Sequence, residues 1–419
     1  MVTSDSFDGR LTFYPGNLTV TLPFVNLMKK HGTLFLNAYT NSPICCPSRA
    51  AMWSGLFTHL TESWNNFKGL ESNYTTWMDL MQKHGYHTQK YGKVDYISGH
   101  HSLSNRVEAW TRDVDFLLRQ EGRPMVNLTG ENFGSSTFKT SPYWLEKVMY
   151  EAIKIPKWIP LSDMHPIDYY SSYTKNCTGH FTKKEIRDIR AFYYAMCAET
   201  DAMLDHGELA MEHQQFYKMS MYEGSSHVPL LVMGPNIKAQ HRVSNVVSLV
   251  DIYPTMLDIA GIPLPHNLSG YSLMPLLSEK ADETLSRSPH PTWVLSEFHG
   301  CNVNSSTYML RTDKWKYIVY SNDHSIPPQL FDLFADPDEL TNVATTYREV
   351  AHSLEKKLRS IIDFPKVSAS VHEYNKKQFI NWKQSVGQNY SNIIANLRWH
   401  QDWLKDPKKY ERAIDKWLK

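Results

Sequence analysis

Two periodicities divide this chain. Up to about residue 280, short apolar runs alternate with stretches whose apolar residues recur at helical spacing, the pattern of an α/β layered fold. Val228-Pro-Leu-Leu-Val-Met-Gly234 reads as a buried strand closed by Gly-Pro, and Val246 to Ala260 predicts a helix that stops before Gly261-Ile-Pro263. A Ser/Glu/Pro-rich stretch near residues 277–292 then breaks the pattern. Beyond it, Trp293-Val-Leu-Ser296, Ser306-Thr-Tyr-Met-Leu310 and Trp315-Lys-Tyr-Ile-Val-Tyr320 are short and β-rich, which predicts an antiparallel sheet. Near the end, Asp406-Pro407 supplies a cap and a first-turn proline, and Tyr410, Ile414, Trp417 and Leu418 fall on one face of the following helix. Trp399, Trp403 and the tail lysines are read as core packing and a solvated face rather than a glycan surface. The expected division is an α/β domain over 1–285 and an α+β subdomain with a helical tail over 286–419.

Composition narrows the class. An apolar content of 42%, with 13% aromatic, excludes a disordered chain, and 419 residues suffice for a large domain and a smaller one. A net charge of +1 argues against a general nucleic-acid or membrane-surface binder, while leaving room for local basic side chains that meet an anionic substrate. No apolar run approaches the roughly eighteen residues needed to span a bilayer, so no transmembrane segment is predicted. Met1-Val-Thr-Ser-Asp5 lacks the charged and apolar regions of a signal peptide, which is expected to be missing from this chain. Seven N-x-S/T sequons point instead to a secreted or luminal protein; besides Asn17 and Asn127 they lie at Asn73, Asn176, Asn267, Asn304 and Asn389, the five read as glycosylation sites. Cys46, Cys177, Cys197 and Cys301 leave disulfides possible, with the pairing open.

The chemistry concentrates around Cys45-Cys46-Pro47-Ser48-Arg49, a C-x-P-x-R pattern. Pro47 and the run Ala50-Ala51-Met52-Trp53 before Gly55 predict a short helix with Cys45 in its first turn and glycine as its stop. A helix N-terminus favours an anion, and Arg49 offers a planar donor beside it. Two buried structural thiols are the plainer alternative.

The pattern resembles the nucleophile motif of the sulfatases. The resemblance extends through Asp205-His206-Gly207, Lys218, Tyr222-Glu223 and His227-Val-Pro-Leu230, and through Trp315-Lys-Tyr to Leu330-Phe-Asp-Leu333 and Asp336 to Asn342, the last two read as structural. It implies that Cys45 is oxidised to formylglycine by the formylglycine-generating enzyme. The hydrated aldehyde attacks sulfur through one oxygen and expels sulfate by collapsing through the other. It also implies one calcium ion bound by Asp5, Asp205, His206 and the modified Cys45, with oxygen ligands suited to a hard cation. Ser6 stands where the family has a second aspartate. Lys93 of Tyr91-Gly-Lys-Val-Asp95 and Lys218 are the implied sulfate contacts; Asp95 stands where many family members have histidine. His165, in Asp163-Met-His-Pro166, is the candidate substrate contact or leaving-group acid.

As a sulfatase the chain is expected to have an alkaline-phosphatase-like mixed sheet flanked by helices, with a smaller C-terminal antiparallel sheet plus helices. Its expected activity is hydrolysis of aryl sulfates or of sulfate esters on glycosaminoglycan uronates, chiefly the 2-sulfate of glucuronate, in the lysosome after passage through the secretory pathway, with secretion as a second destination. Three core strands have no room, before Asp5, near residue 128 and before Asp205, which predicts a shortened form. Two other readings remain open: a catalytically silent form of the same fold, and a phosphoesterase of the same superfamily.

Overall fold

The computed structural model describes residues 1, 7–66, 68–89, 96–97, 142–174, 177–199, 207, 209–278, 290–299, 306–321, 326–392 and 406–419. At its centre lies β1 (Gly32–Tyr39), flanked by the antiparallel β4 (His227–Met233) and the parallel β5 (His241–Ser248). A short ladder of β2 (Leu209–Ala210) and β3 (Phe216–Tyr217) stands apart. Helix α1 (Pro23–His31) leads into β1, with proline in its first turn and Lys29, Lys30 and His31 in its last, where cations oppose the negative end of the helix dipole.

Strand direction places the site. Tyr39 of β1 pairs with Ser248 of β5 and with His227 of β4, so two parallel strands end where the antiparallel one begins. Ligands of α/β sheets bind outside this carboxyl edge. Here it receives the turn into α2 (Cys45–Ser54), the segment before β4, and the chain around Gly9.

The second sheet is a meander of β6 (Trp293–Phe298), β7 (Thr307–Thr312), β8 (Trp315–Tyr320) and β9 (Gln329–Asp332), antiparallel throughout. Its side chains alternate between two cores with the period of a pleated strand. Val294, Phe298, Met309, Ile318, Tyr320 and Phe331 join Tyr39, Ile44, Leu209, Tyr222 and Val246 of the first sheet's layer. Leu295, Tyr308, Leu310, Tyr317, Val319 and Leu330 pack instead on Ala351 and Leu358 of the helix Arg348–Ile361. Both faces are buried, and one of them is shared with the layer of the first sheet.

The expected α/β layer, antiparallel sheet and tail helix are all present; the tail spans Pro407–Leu418 with Ile414 fully buried. Trp399 and Trp403 lie outside the described residues. One boundary differs. Val246 to Ser248 finish β5, and the helix spans Ile252–Ile259 after a 3₁₀ turn. The adjacent β-branched valines favour the strand, and Ser248 with Asp251 forms a capping box that starts the helix afterwards. The sequence around Leu330 read as a signature is a fourth strand, tied at Leu330 N–H to Asn342 Oδ1 (2.9 Å). Among the described residues no helix is long and apolar enough to cross a membrane.

Candidate active site

Cys45 is the first residue of α2, and all ten residues of that helix are buried. The helix stops at Gly55, whose φ of 68° is the left-handed C-cap conformation that glycine adopts without a Cβ penalty. Ile44 has no oxygen with which to cap the first turn; Asn66 supplies one from another loop, its Oδ1 accepting from Cys46 N–H at 3.0 Å. Trp53 stacks on Trp77 at 5.1 Å, packing the far end of the helix.

The turn from β1 into α2 is held by Asn41, itself buried. Its Nδ2 donates to Leu295 O (3.0 Å), its Oδ1 accepts from Ser248 Oγ and Val250 N–H (3.0 Å each), and its carbonyl accepts from Glu297 N–H (2.8 Å). One side chain thus joins the nucleophile turn to the end of β5 and to β6. Beside it, Glu297 meets His59 Nδ1 at 2.8 Å and His299 Nε2 at 3.1 Å. Burial alone would raise the Glu297 carboxyl, but the two imidazoles outweigh it and hold it near about 2.

Lys218 follows β3 directly, with its Nζ 2.7 Å from Cys45 Sγ. The backbone after it is fixed: Met219 N–H donates to Pro43 O at 2.9 Å, and Glu223 N–H donates to Glu339 Oε2 at 2.7 Å. Glu223 is the hub of a buried cluster. It accepts from Tyr39 OH (3.0 Å to each oxygen), faces His227 Nδ1 (2.9 Å) and pairs with Lys316 Nζ (2.7 Å). Lys316 pairs also with Glu339 Oε1 (2.7 Å) and donates to Met221 O (2.8 Å). Burial works against ionisation of Glu223, yet Lys316 and His227 hold its carboxyl well below the usual range. Burial and the Glu223 charge push Glu339 up to about 7 despite Lys316.

Cys45, Arg49 and Lys218 are therefore brought to one place, with Arg49 one helical turn beyond Cys45 and buried. His165 is partly buried over Tyr320, ring centroids 5.1 Å apart, with Nε2 on Pro327 O (2.9 Å) and Nδ1 accepting from Ile167 N–H (3.4 Å). It would have to leave that carbonyl to donate a proton elsewhere. Asp5, Lys93, Asp205 and His206 lie outside the described residues, as do Asn176 and Asn304; Asn73, Asn267 and Asn389 are exposed.

The seats of the metal candidates are described. A Cβ on Gly207 would stand 2.2 Å from Gly224 O, and one on Gly9 2.6 Å from the Val228 carbonyl carbon. Only glycine allows these approaches, and they bring the chain just after His206 and just after Asp5 against the start of β4, on the same edge as Cys45. Asp8 is committed elsewhere, in a bidentate pair with Arg10 (2.6–3.0 Å). Two carboxylates and an imidazole are, as a donor set, suited to a divalent cation with mainly oxygen ligands. No group of three metal-ligating side chains occurs among the described residues alone.

The sulfatase family pattern matches residues 1–105, and that of the N-sulphoglucosamine sulphohydrolase C-terminal region matches 211–363. Arylsulfatase K of Canis lupus familiaris is 68% identical over 493 residues, covering all of this chain and 92% of the relative. That of Homo sapiens is 67% identical, with the same coverage. The chain belongs to the sulfatase family. It is a sulfuric ester hydrolase by that membership. Among solved structures, a 2-O GAG sulfatase superposes with a TM-score of 0.65 at 20% identity, covering 87% of this chain and 91% of that one. A phosphonate monoester hydrolase from Silicibacter pomeroyi also reaches 0.65, at 17% identity, covering 86% and 95%. Both likenesses establish the fold. The match to the canine relative runs over 493 residues against 419 here, so the relative carries about 74 residues (493 less 419) without a counterpart in this sulfatase.

Sequence reasoning missed the cluster behind Lys218. Arg311 and Tyr39 carried no motif, and the stretches holding Lys316 and Glu339 were read as structural only. The signal was alternation: Lys316 shares a face of β8 with Ile318 and Tyr320, the face turned to the catalytic layer.

Proposed function

We propose that this sulfatase removes the 2-sulfate of glucuronate from glycosaminoglycan fragments, with Cys45 converted to formylglycine and one calcium ion held by Asp5, Asp205 and His206 beside the converted residue. The observation that carries it is the Lys218 ammonium 2.7 Å from Cys45 Sγ at the mouth of a buried helix. In the converted residue, aldehyde-derived oxygens on the same β-carbon take the place of Sγ. Lys218 then faces those oxygens and the incoming sulfate, Arg49 fixes the side chain from the next turn, and the positive end of α2 favours the anion. Lys93 is assigned to the sulfate as well. The bound cation would supply charge to polarise sulfate oxygens. His165 is assigned to the leaving group provided that it exchanges Pro327 O for substrate.

The relatives support an arylsulfatase K type of activity, and exposed Asn73, Asn267 and Asn389 support glycosylation, passage through the secretory pathway and a lysosomal destination. The test is mass analysis of the Cys45 peptide from secreted protein, together with turnover of glucuronate 2-sulfate, iduronate 2-sulfate and an aryl phosphonate. Conversion with preference for the glucuronate ester is expected. An intact thiol in cells equipped to convert it, or preference for the phosphonate, refutes the proposal.

A second reading is favoured by the 493-residue match. If the unmatched residues include the strands before Asp205 and near residue 128, the chain is a shortened, silent form. It then predicts conversion of Cys45 without turnover.

A further inference from the structure

We propose that Lys316 is a positioning residue through which the C-terminal sheet sets Lys218 against the nucleophile. This rests on the sulfatase reading for its consequence but not for its geometry. Lys316 is 0% exposed, and its ammonium has three donors. Three oxygens surround it: Met221 O accepts a hydrogen bond at 2.8 Å, and Glu223 Oε1 and Glu339 Oε1 form ion pairs with it at 2.7 Å each. Two of the three belong to the chain three and five residues beyond Lys218. The third belongs to Glu339, which also holds Glu223 N–H.

From Lys218 to Glu223 the segment is tied at four points, the first through the side chain and the rest through the backbone: Lys218 on Cys45, Met219 on Pro43, Met221 on Lys316, and Glu223 on Glu339. The first two are the active site, and the last two are the C-terminal sheet and the loop after it. A second tie runs alongside, from Arg311 Nε through Tyr39 OH (2.8 Å) to Glu223. Tyr39 is the last residue of β1, six before Cys45. The cluster therefore holds both strands of chain that meet at the nucleophile.

A buried ammonium is costly, and an apolar residue of similar volume often serves stability as well or better. What methionine cannot do is hold the Met221 carbonyl and two carboxylates in one register. Lys218 carries four rotatable bonds and considerable rotamer entropy, so the direction in which its backbone presents it matters.

The test uses the full chain in two states. In unconverted protein, an ammonium beside Cys45 favours thiolate and speeds alkylation, so labelling of Cys45 by iodoacetamide, read by peptide mass with the other cysteines as references, reports Lys218. In converted protein, kcat and KM are measured on an aryl sulfate. Lys316→Met is expected to slow Cys45 labelling several-fold, as Lys218→Met does, and to lower kcat at least tenfold with little change in KM. Adding Lys218→Met to Lys316→Met should then cost much less than Lys218→Met alone, because the two act on one interaction. If Lys316→Met leaves two unbalanced carboxylates and does not fold, Lys316→Met/Glu339→Gln removes one of them while keeping an acceptor for Glu223 N–H, and the same slowing is expected. A folded single or double variant that labels Cys45 within twofold of the parent, or additive effects of the two lysines, overturns the proposal. Should the parent convert Cys45 yet show no turnover, the activity reading fails and the labelling arm still decides this one.

Discussion

Glu212 stands between two buried arginines, and neutralising it exposes how much of the segment after the metal candidates rests on charge. Its carboxylate lies 2.8 Å from Arg190 and 3.3 Å from Arg10, and accepts Ala210 N–H at 2.7 Å. Burial alone would raise the carboxyl, but Arg190 and then Arg10 pull it from 4.5 to about 2. That drop corresponds to about 3 kcal/mol at neutral pH. The side chain is 16% exposed, so water screens part of it and about 2–3 kcal/mol is expected. Glu212→Gln keeps the shape and the bond from Ala210 and removes only the charge. The unfolded chain takes its proton near 4.5 and the folded one near 2, so the stabilisation is complete above about pH 4.5, fades below it and is gone at about pH 2. Urea unfolding followed by tryptophan fluorescence at pH 7, 4.5 and 3 should therefore show a deficit of about 2–3 kcal/mol that shrinks by at least half at pH 3. A deficit under about 1 kcal/mol at pH 7, or one that stays constant down to pH 3, refutes the reasoning.

Other perturbations test the site directly. Lys218→Met removes a charged donor at the reacting centre and should lower kcat by about 10²–10³; steady-state kinetics on converted protein that find less than a tenfold change would remove Lys218 from the chemistry. Under the proposed calcium site, Gly207→Ala, which puts a methyl 2.2 Å from Gly224 O, is expected to abolish a calcium-dependent rise in melting temperature that the parent shows. An equal calcium response in both proteins would show that the ligands lie elsewhere. His165→Ala loses two hydrogen bonds, one of them long, and a stacked ring, about 1–2 kcal/mol of stability. If His165 also serves the leaving group, kcat for an alkyl sulfate falls far more than for an aryl sulfate with its better leaving group, and equal effects on the two leave only the structural role.

The α/β layer, the three β-rich runs and the tail helix were legible because apolar periodicity is a local signal. So was α2, since Pro47 and Gly55 punctuate it and Cys45 had only one place to go. The end of β5 was misjudged because Val246 to Val250 suits either period, and the deciding capping box is a side-chain bond between Ser248 and Asp251. The Lys218 to Cys45 contact joins positions 173 apart, and only a family motif made it foreseeable. Lys316 was illegible for a different reason. Trp315-Lys-Tyr was read as structural, and nothing in the stretch itself shows that its lysine faces the site until both faces of the sheet are known to be covered.

The complete enclosure of α2 sets a deadline. Cys45 is 2% exposed and every residue of its helix is buried, so under the proposed conversion to formylglycine, a second enzyme that must grip this stretch would reach the thiol only while the chain is still open. On that proposal, folding and maturation would compete for the same nascent polypeptide, and a molecule that closed first would keep its thiol. Supplying the converting enzyme to purified, folded, unconverted protein should yield no aldehyde, whereas the unfolded chain should accept it.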